Sequence, residues 1–234
     1  MKPFIIAHRG ASALALHENS LEAFQIAIDL KADFVEFDIR KTKDNKLVIF
    51  HNDSFEGHLL SGLNYDELCT LTGVSGLRPP LFSEVLALCQ GKIKLDIELK
   101  ESGFEKEVVE LVKKDFEYDE YMIKSFIDDV VLNIKQIDNK VRTGLLVGRS
   151  HLNFFERLSE IFPNKRLKRC LADFISPYYM LATPFFIRRM NRRKTDIYVW
   201  TVNKPELISK FLRRNITGII TDRPDIAIQK RQGS

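Results

Sequence analysis

The chain has 234 residues, 44% of them hydrophobic, and a formal net charge of +4. That length and apolar content suffice for one domain with a full core, in the size range of a single α/β barrel. The longest apolar runs, "GLLV" and "DFISPYYMLA" among them, fall far short of the roughly 20 residues of a membrane span, which argues for a soluble protein.

The amino terminus "MKPFIIAHRG" enters a strand-like run at once and leaves no room for the charged segment, apolar segment and cleavage site of a signal peptide; the expectation is a cytoplasmic location. The helical pattern "NSLEAFQIAIDL" follows, with apolar Leu21, Phe24 and Ile28 and a cap at Ser20 or Asn19, and then the strand "DFVEFDI". Strand and helix keep alternating: "IKLDIEL", helical "FEKEVVELVKKDF", "YMIKSF", helical "DDVVLNIKQI", "RTGLLV", helical "LNFFERLSEIF", "ADFISPY", helical "PFFIRRMNRR", "IYVWTV", helical "PELISKFLRR" and "TGIIT". Leaving "LVIFH" aside, eight strands in this rhythm predict a single-domain (β/α)₈ TIM barrel. No glycine-rich nucleotide loop follows the first strand, which removes the main support for a Rossmann fold. The barrel is expected over residues 1–228, with 229–234 as a disordered tail.

Cys69, Cys89 and Cys170 are odd in number and widely spaced, so buried thiols are expected rather than disulfides or a zinc site. Charge is divided unevenly: residues 140–215 hold 17 Lys/Arg against 5 Asp/Glu, and residues 1–139 hold 16 against 25. Runs such as "NKRLKRC" and "RRMNRRK" suit solvated helix faces, and also a weak association with anionic membranes or attraction of phosphorylated substrates. No helix-turn-helix, aromatic RNA-binding signature or zinc finger accompanies them, so no nucleic-acid partner is expected.

Polar residues gather at the carboxyl ends of the strands: His8-Arg9-Gly10, Glu36 and Asp38, Glu98 and Lys100, Ser125, Ser176, Trp200 to Asn203, and Thr221-Asp222. In a barrel that rim carries the chemistry. Within "VEFDIRKTKDNKLVIFH", alternation places Glu36, Asp38 and Arg40 on one face and Val35, Phe37 and Ile39 on the other. A two-residue turn at Asp44-Asn45 pairs Arg40 with Ile49 and Asp38 with His51, which brings a histidine to within about 4.5–5.5 Å, Cβ to Cβ, of the carboxylates. The strand "LDIELK" repeats the device with Asp96, Glu98 and Lys100. Converging acids are either paired with Arg9, Arg40 or Lys100, or neutralised by a cation, and oxygen ligands select Mg²⁺ or Ca²⁺ over zinc. His17, His58 and His151 are read as structural.

The stretch "IIAHRGAS...HENSLEAFQIAIDLKADFVEFDIRKTKDNKLVIFHND" resembles the amino-terminal signature of the glycerophosphodiester phosphodiesterases, metal-dependent (β/α)₈ barrels. "LFSEVLALC", "LDIELK", "YVWTVN" and "GIITDRPD" resemble that family in the same order, so the resemblance spans nearly the whole chain. It implies that Glu36, Asp38 and Glu98 hold the metal, that His8 and His51 form the general acid/base pair, that Arg9 and Lys100 hold the phosphate, and that Trp200 lines the substrate pocket. The implied reaction splits a glycerophosphodiester into glycerol 3-phosphate and an alcohol, the glycerol 2-hydroxyl attacking phosphorus to give a cyclic intermediate that water opens. Related barrels stop at the cyclic product or act on lysophospholipids in the manner of a lysophospholipase D. A non-catalytic phosphodiester-binding protein is the alternative from another class; it would need Arg9 and Lys100 but not a proton-transfer pair.

The chain departs from the family's usual pattern in three places. His17 stands where proline is usual, Asn52 stands where aspartate is usual, and Gly57 stands near the place of an arginine that contacts substrate. Only 46 residues separate His51 from Glu98, so the insertion that covers the active site in many members is short here.

Overall fold

The structure, a computed structural model, describes residues 2–148 and 154–233. Eight parallel strands form the barrel wall: β1 (Phe4–Ala7), β2 (Phe34–Lys41), β6 (Lys94–Leu99), β7 (Tyr121–Ser125), β8 (Thr143–Val147), β9 (Phe174–Pro177), β10 (Asp196–Val199) and β11 (Gly218–Thr221). They pair in the order β1-β11-β10-β9-β8-β7-β6-β2, and β1 pairs with β2 to close the ring. The predicted (β/α)₈ barrel and its eight strands are therefore present. The antiparallel strand β3 (Leu47–Ile49) lies on β2 as the expected hairpin extension. A two-stranded ribbon, β4 (Ser54–Phe55) and β5 (His58–Leu59), and a 3₁₀ turn at Leu60–Gly62 fill the short insertion, with Gly57 in the ribbon's turn.

Helices between strands cover the outside: α1 (Leu21–Asp29), α2 (Tyr65–Gly73), α3 (Phe82–Cys89), α4 (Glu105–Val112), α5 (Asp128–Ile137), α6 (Phe154–Ile161), α7 (Asn164–Cys170), α8 (Pro184–Arg192), α9 (Pro205–Leu212) and α10 (Pro224–Gln232). Helix α1 starts where its sequence directs: Ser20 is the N-cap and accepts from Ala23 N–H at 3.1 Å, a bond worth about 1 kcal/mol. The last helix corrects an expectation. Residues 229–232 are not a disordered tail but the end of α10, where Lys2 Nζ donates to Arg231 O at 2.8 Å and Arg231 reaches Asp33 and the Pro3 carbonyl. Local composition carried no sign of those partners, which lie about two hundred residues away in the chain. No helix among the described residues is long and apolar enough to cross a membrane. All three cysteines are free thiols; Cys89 and Cys170 are buried and Cys69 is half-buried, so the expectation of buried thiols holds for two.

Alternation along the strands sorts side chains into two cores. Outward-facing Val35, Phe37, Ile39, Leu95 and Ile97 pack under α1, α3 and α4. Inward-facing Ile6, Phe34, Met122, Phe174, Tyr198 and Ile220 form an apolar plug inside the barrel. Gly144 and Gly218 make room for it: a Cβ at Gly144 would lie 2.0 Å from Phe174 Cε2, and one at Gly218 2.8 Å from Tyr198 Cδ1. Two residues further along the same inward faces, the apolar plug gives way to charge.

Candidate active site

That next step toward the carboxyl end holds Glu36 on β2, Asp96 on β6 and Lys124 on β7, all buried. Lys124 Nζ lies 2.6 Å from Asp96 Oδ2 and 3.4 Å from Glu36 Oε1. One step higher, Asp38 pairs in register with Glu98. Oxygen atoms of Glu36, Asp38 and Glu98 lie within 4.8 Å of one another. The three acids predicted to hold metal thus converge on one point. Asp96 shares their face but sits deeper, bound to Lys124, a cation that sequence reading missed although it is the lone charge in "YMIKSF".

The loop after β1 is shaped to serve these acids. Arg9 and Gly10 take left-handed conformations (φ 53° and 80°), and a Cβ at Gly10 would lie 2.6 Å from the Ala23 backbone, so only glycine fits. The turn directs Arg9 N–H to Glu36 Oε2 at 2.9 Å and Gly10 N–H to the Glu36 carbonyl at 3.2 Å. Asn19 Nδ2 donates to Asp38 Oδ2 at 2.8 Å, so Asn19 orients an acid while Ser20 caps α1. Arg9 Nε stands 3.2 Å from Asp38 Oδ2, and Lys100 Nζ lies 3.0 Å from Asp38 Oδ1 and 2.7 Å from Glu98 Oε1. Arg40 is not paired with the site acids; it binds Glu101 at 3.2 Å and donates from Nε to the His51 carbonyl at 2.9 Å.

Four buried carboxylates face three permanent cations, Arg9, Lys100 and Lys124, and Arg9 is shared with Glu18, which its Nη1 binds at 2.7 Å. Burial and the neighbouring acids raise the pKa of two of the four, Asp96 and Glu98. Burial pushes Asp96 up to about 6 despite Lys124, and burial with the neighbouring Asp38 and Glu36 raises Glu98 despite Lys100. Asp38 is held far below the usual carboxylate range: burial opposes its ionisation, but Lys100, Arg9 and His51 outweigh it. An all-oxygen cluster with uncompensated negative charge fits a hard divalent cation.

His8 sits at the end of β1, with Nδ1 2.6 Å from Asp222 Oδ1. Asp222 is itself fixed: its Oδ2 accepts from Asn203 Nδ2, and its N–H donates to Asn203 Oδ1 at 2.9 Å. Burial opposes the imidazolium, yet Glu36 and Asp222 raise the His8 pKa above its ordinary value. Sequence reading placed Asp222 and Asn203 at the rim but gave them no role, because residues 214 positions apart in the chain meet only when the barrel closes.

The hairpin register differs from the predicted one. Ile39 pairs with Ile49 and Arg40 with Val48, so Asp38 stands opposite Phe50, whose N–H donates to the Asp38 carbonyl at 3.0 Å. The turn holds three residues, Lys43 to Asn45, rather than two: Asn45 adopts a left-handed conformation (φ 62°), and Thr42 Oγ1 binds both Lys46 N–H and Asp44 Oδ1. His51, one residue beyond the pairing, still reaches the rim. It lines a cavity of about 350 Å³ with Arg40, Asn52, Glu98, Lys100 and Ser125. Its Nδ1 lies 2.8 Å from Asn52 Oδ1; burial and then Lys100 lower its pKa, and Asp38 only partly offsets them. Trp200 stands beside this cavity, its ring 5.5 Å from Phe126, a residue of the cavity wall. Of the histidines read as structural, His17 Nε2 meets the Ser75 carbonyl at 3.0 Å, His58 is exposed in β5, and His151 lies outside the described residues.

The sequence model of the glycerophosphoryl diester phosphodiesterase family matches residues 8–226, from the first site histidine to the start of α10. The chain belongs to that family. As a glycerophosphoryl diester phosphodiesterase family member it is a phosphoric diester hydrolase. It is 26% identical over 247 residues to a glycerophosphodiester phosphodiesterase of Caldanaerobacter subterraneus, covering 97% of each chain. The fold superposes on the Thermotoga maritima glycerophosphodiester phosphodiesterase with a TM-score of 0.79, at 26% identity and 98% coverage of both chains. A phosphodiesterase from Oleispira antarctica, solved in complex with the product sn-glycerol-3-phosphate, gives a TM-score of 0.83 at 22% identity, covering 100% of this chain and 98% of that one.

Proposed function

We propose that this enzyme is a divalent-cation-dependent glycerophosphodiester hydrolase that yields glycerol 3-phosphate and an alcohol, with His8 and His51 as the proton-transfer pair. Three buried carboxylates within 4.8 Å of one another, flanked by Arg9, Lys100 and a pocket holding His51, support this reading above any other observation. The family match and the product-bound Oleispira relative support the substrate class.

Glu36, Asp38 and Glu98 would hold the ion, Mg²⁺ or Ca²⁺, which supplies Lewis-acid charge stabilisation at phosphorus. Arg9, whose Nη1 here binds Glu18 at 2.7 Å, would offer its planar fork to the phosphate oxygens in exchange for that carboxylate. Lys100 now bridges Asp38 and Glu98, and its four-carbon stem has the reach to turn the ammonium toward substrate. The two histidines have different partners, and the difference divides the work. Asp222 stabilises a protonated His8, which suits the acid that protonates the leaving alkoxide. Asn52 Oδ1 accepts the Nδ1 proton of His51 and leaves a neutral Nε2, which suits the base that accepts the 2-hydroxyl proton. A phosphodiester-binding protein would have no use for either arrangement. Three free thiols are consistent with the reducing cytoplasm, where we place the enzyme.

Turnover of a panel of glycerophosphodiesters and lysophospholipids, with Mg²⁺, Ca²⁺ or chelator, tests the proposal. Hydrolysis of glycerophosphodiesters that chelation abolishes is the expected result. Tight binding without turnover of any member would establish the binding-protein alternative.

A further inference from the structure

A second cavity, of about 870 Å³, adjoins the catalytic pocket, and Phe126 lines both. Among the described residues its wall is Phe126, Tyr178, Met180, Leu181 and Trp200, with Gly148 and Arg157 at one side. The aromatic part is continuous: Trp200 stands edge-on to Phe126 at 5.5 Å and to Tyr178 at 5.4 Å. Polar groups of Trp200, Arg157 and Gly148 have partners within the protein. Trp200 Nε1 donates to the Ser176 carbonyl at 2.8 Å, and the Tyr178 ring packs against that of Tyr179 at 4.5 Å. Arg157 Nη1 binds Glu160 at 2.9 Å, and Gly148 N–H donates to the same carboxylate at 2.8 Å. What these described residues present to a ligand is chiefly hydrocarbon and ring surface, which rewards apolar area and cannot replace the hydration of a polar group.

We propose that this groove is a subsite for a hydrocarbon chain carried by the phosphodiester, so that the preferred substrates are glycerophosphodiesters bearing an alkyl or acyl chain. This rests on the hydrolase reading of the adjoining pocket and names the substrate class for it. The chain has two possible sources, the leaving alcohol or an acyl group on the glycerol. Both enter the groove past Phe126 once the phosphate is seated at Lys100. A small trimethylammonium headgroup on the ring faces is the competing occupant, but the volume and the thioether and leucine walls suit a longer apolar guest.

Trp200 is the sole tryptophan of the chain, so its fluorescence reports the groove directly. Binding is titrated with non-hydrolysable glycerol phosphonate esters in two series, one lengthening an alkyl alcohol and one lengthening an acyl group on glycerol, kept monomeric. The dissociation constant should fall about two- to fourfold per added methylene in at least one series, which identifies the source. Met180→Asp, at a residue 66% exposed, should flatten that dependence while turnover of a short glycerophosphodiester stays within about twofold of wild type. Affinity independent of length in both series would overturn the proposal. So would a length dependence that survives both Met180→Asp and Leu181→Asp, or tighter binding of a trimethylammonium ester than of its neutral tert-butyl analogue. Length-dependent binding without turnover of any diester would refute the hydrolase reading and uphold the subsite; turnover with length-independent binding would do the reverse.

Discussion

His8 and Asp222 form a short imidazole–carboxylate bond, 2.6 Å, inside the rim, and Asn203 holds the far side of the carboxylate. Asp222→Asn removes the charge and keeps the shape. It is expected to lower kcat by about 10²-fold, within the range of a positioned proton transfer, with divalent-ion affinity near wild type. The pH profile gives a sharper check. The His8 pKa is raised, so the acid form is present at low pH and is lost as pH climbs through that value. Without Asp222 the imidazolium is less stable, and the alkaline limb of kcat/KM moves to lower pH; an unmoved limb would assign that limb to another group. Glu98→Gln tests the ion site at the same scale. Replacing one of three converging carboxylates by an amide should weaken Mg²⁺ or Ca²⁺ binding by at least about tenfold by calorimetry. Full activity of thoroughly chelated wild-type enzyme would refute the metal assignment altogether.

Among the elements, strands β2, β6 and β7 are tied together inside the barrel by Lys124, which reaches Asp96 on the adjacent strand β6 and Glu36 one strand further, on β2. Removing the cation leaves two buried acids with less compensation, and Lys124→Met should cost about 3–5 kcal/mol in urea unfolding. The double variant Lys124→Met/Asp96→Leu should recover part of that loss, since an apolar pair replaces a broken ionic one; losses that simply add would show that the two side chains act independently. The β2–β3 hairpin shows the same dependence on local chemistry. Its register is set by Asn45 in a left-handed turn, and Arg40 then clamps the carbonyl of His51, so the histidine's place comes from the turn and the clamp rather than from strand pairing with Asp38.

For the whole molecule, closure of β1 onto both β2 and β11 brings His8, the acids of β2 and β6, and Asp222 to one end of one barrel. Because an ion held by Glu36, Asp38 and Glu98 binds the folded chain and finds no such cluster in the unfolded one, it should stabilise the fold. At a concentration 100 times its Kd the gain is about 2.7 kcal/mol, seen as a rise in Tm of several degrees that chelator reverses. An unchanged Tm at saturating Mg²⁺ and Ca²⁺ would count against a site formed only in the native state.

The alternation of strands and helices, the face shared by Glu36 and Asp38, and the gathering of polar residues at strand ends are all legible in the amino-acid order. These are set by side-chain periodicity and by short motifs such as "HRG" and "LDIELK", which act over a few residues. The same order also carried the family, because those motifs recur in order along the chain. Which cations meet which acids, that Asp222 rather than a nearby residue holds His8, and that residues 229–232 are helical emerge from the folded chain alone. So does the apolar groove that adjoins the pocket. The reason is distance along the chain. Those partners are contributed by strands and loops far apart in sequence, and their pairing is fixed by barrel closure and by the need to compensate every buried charge, neither of which a local pattern contains.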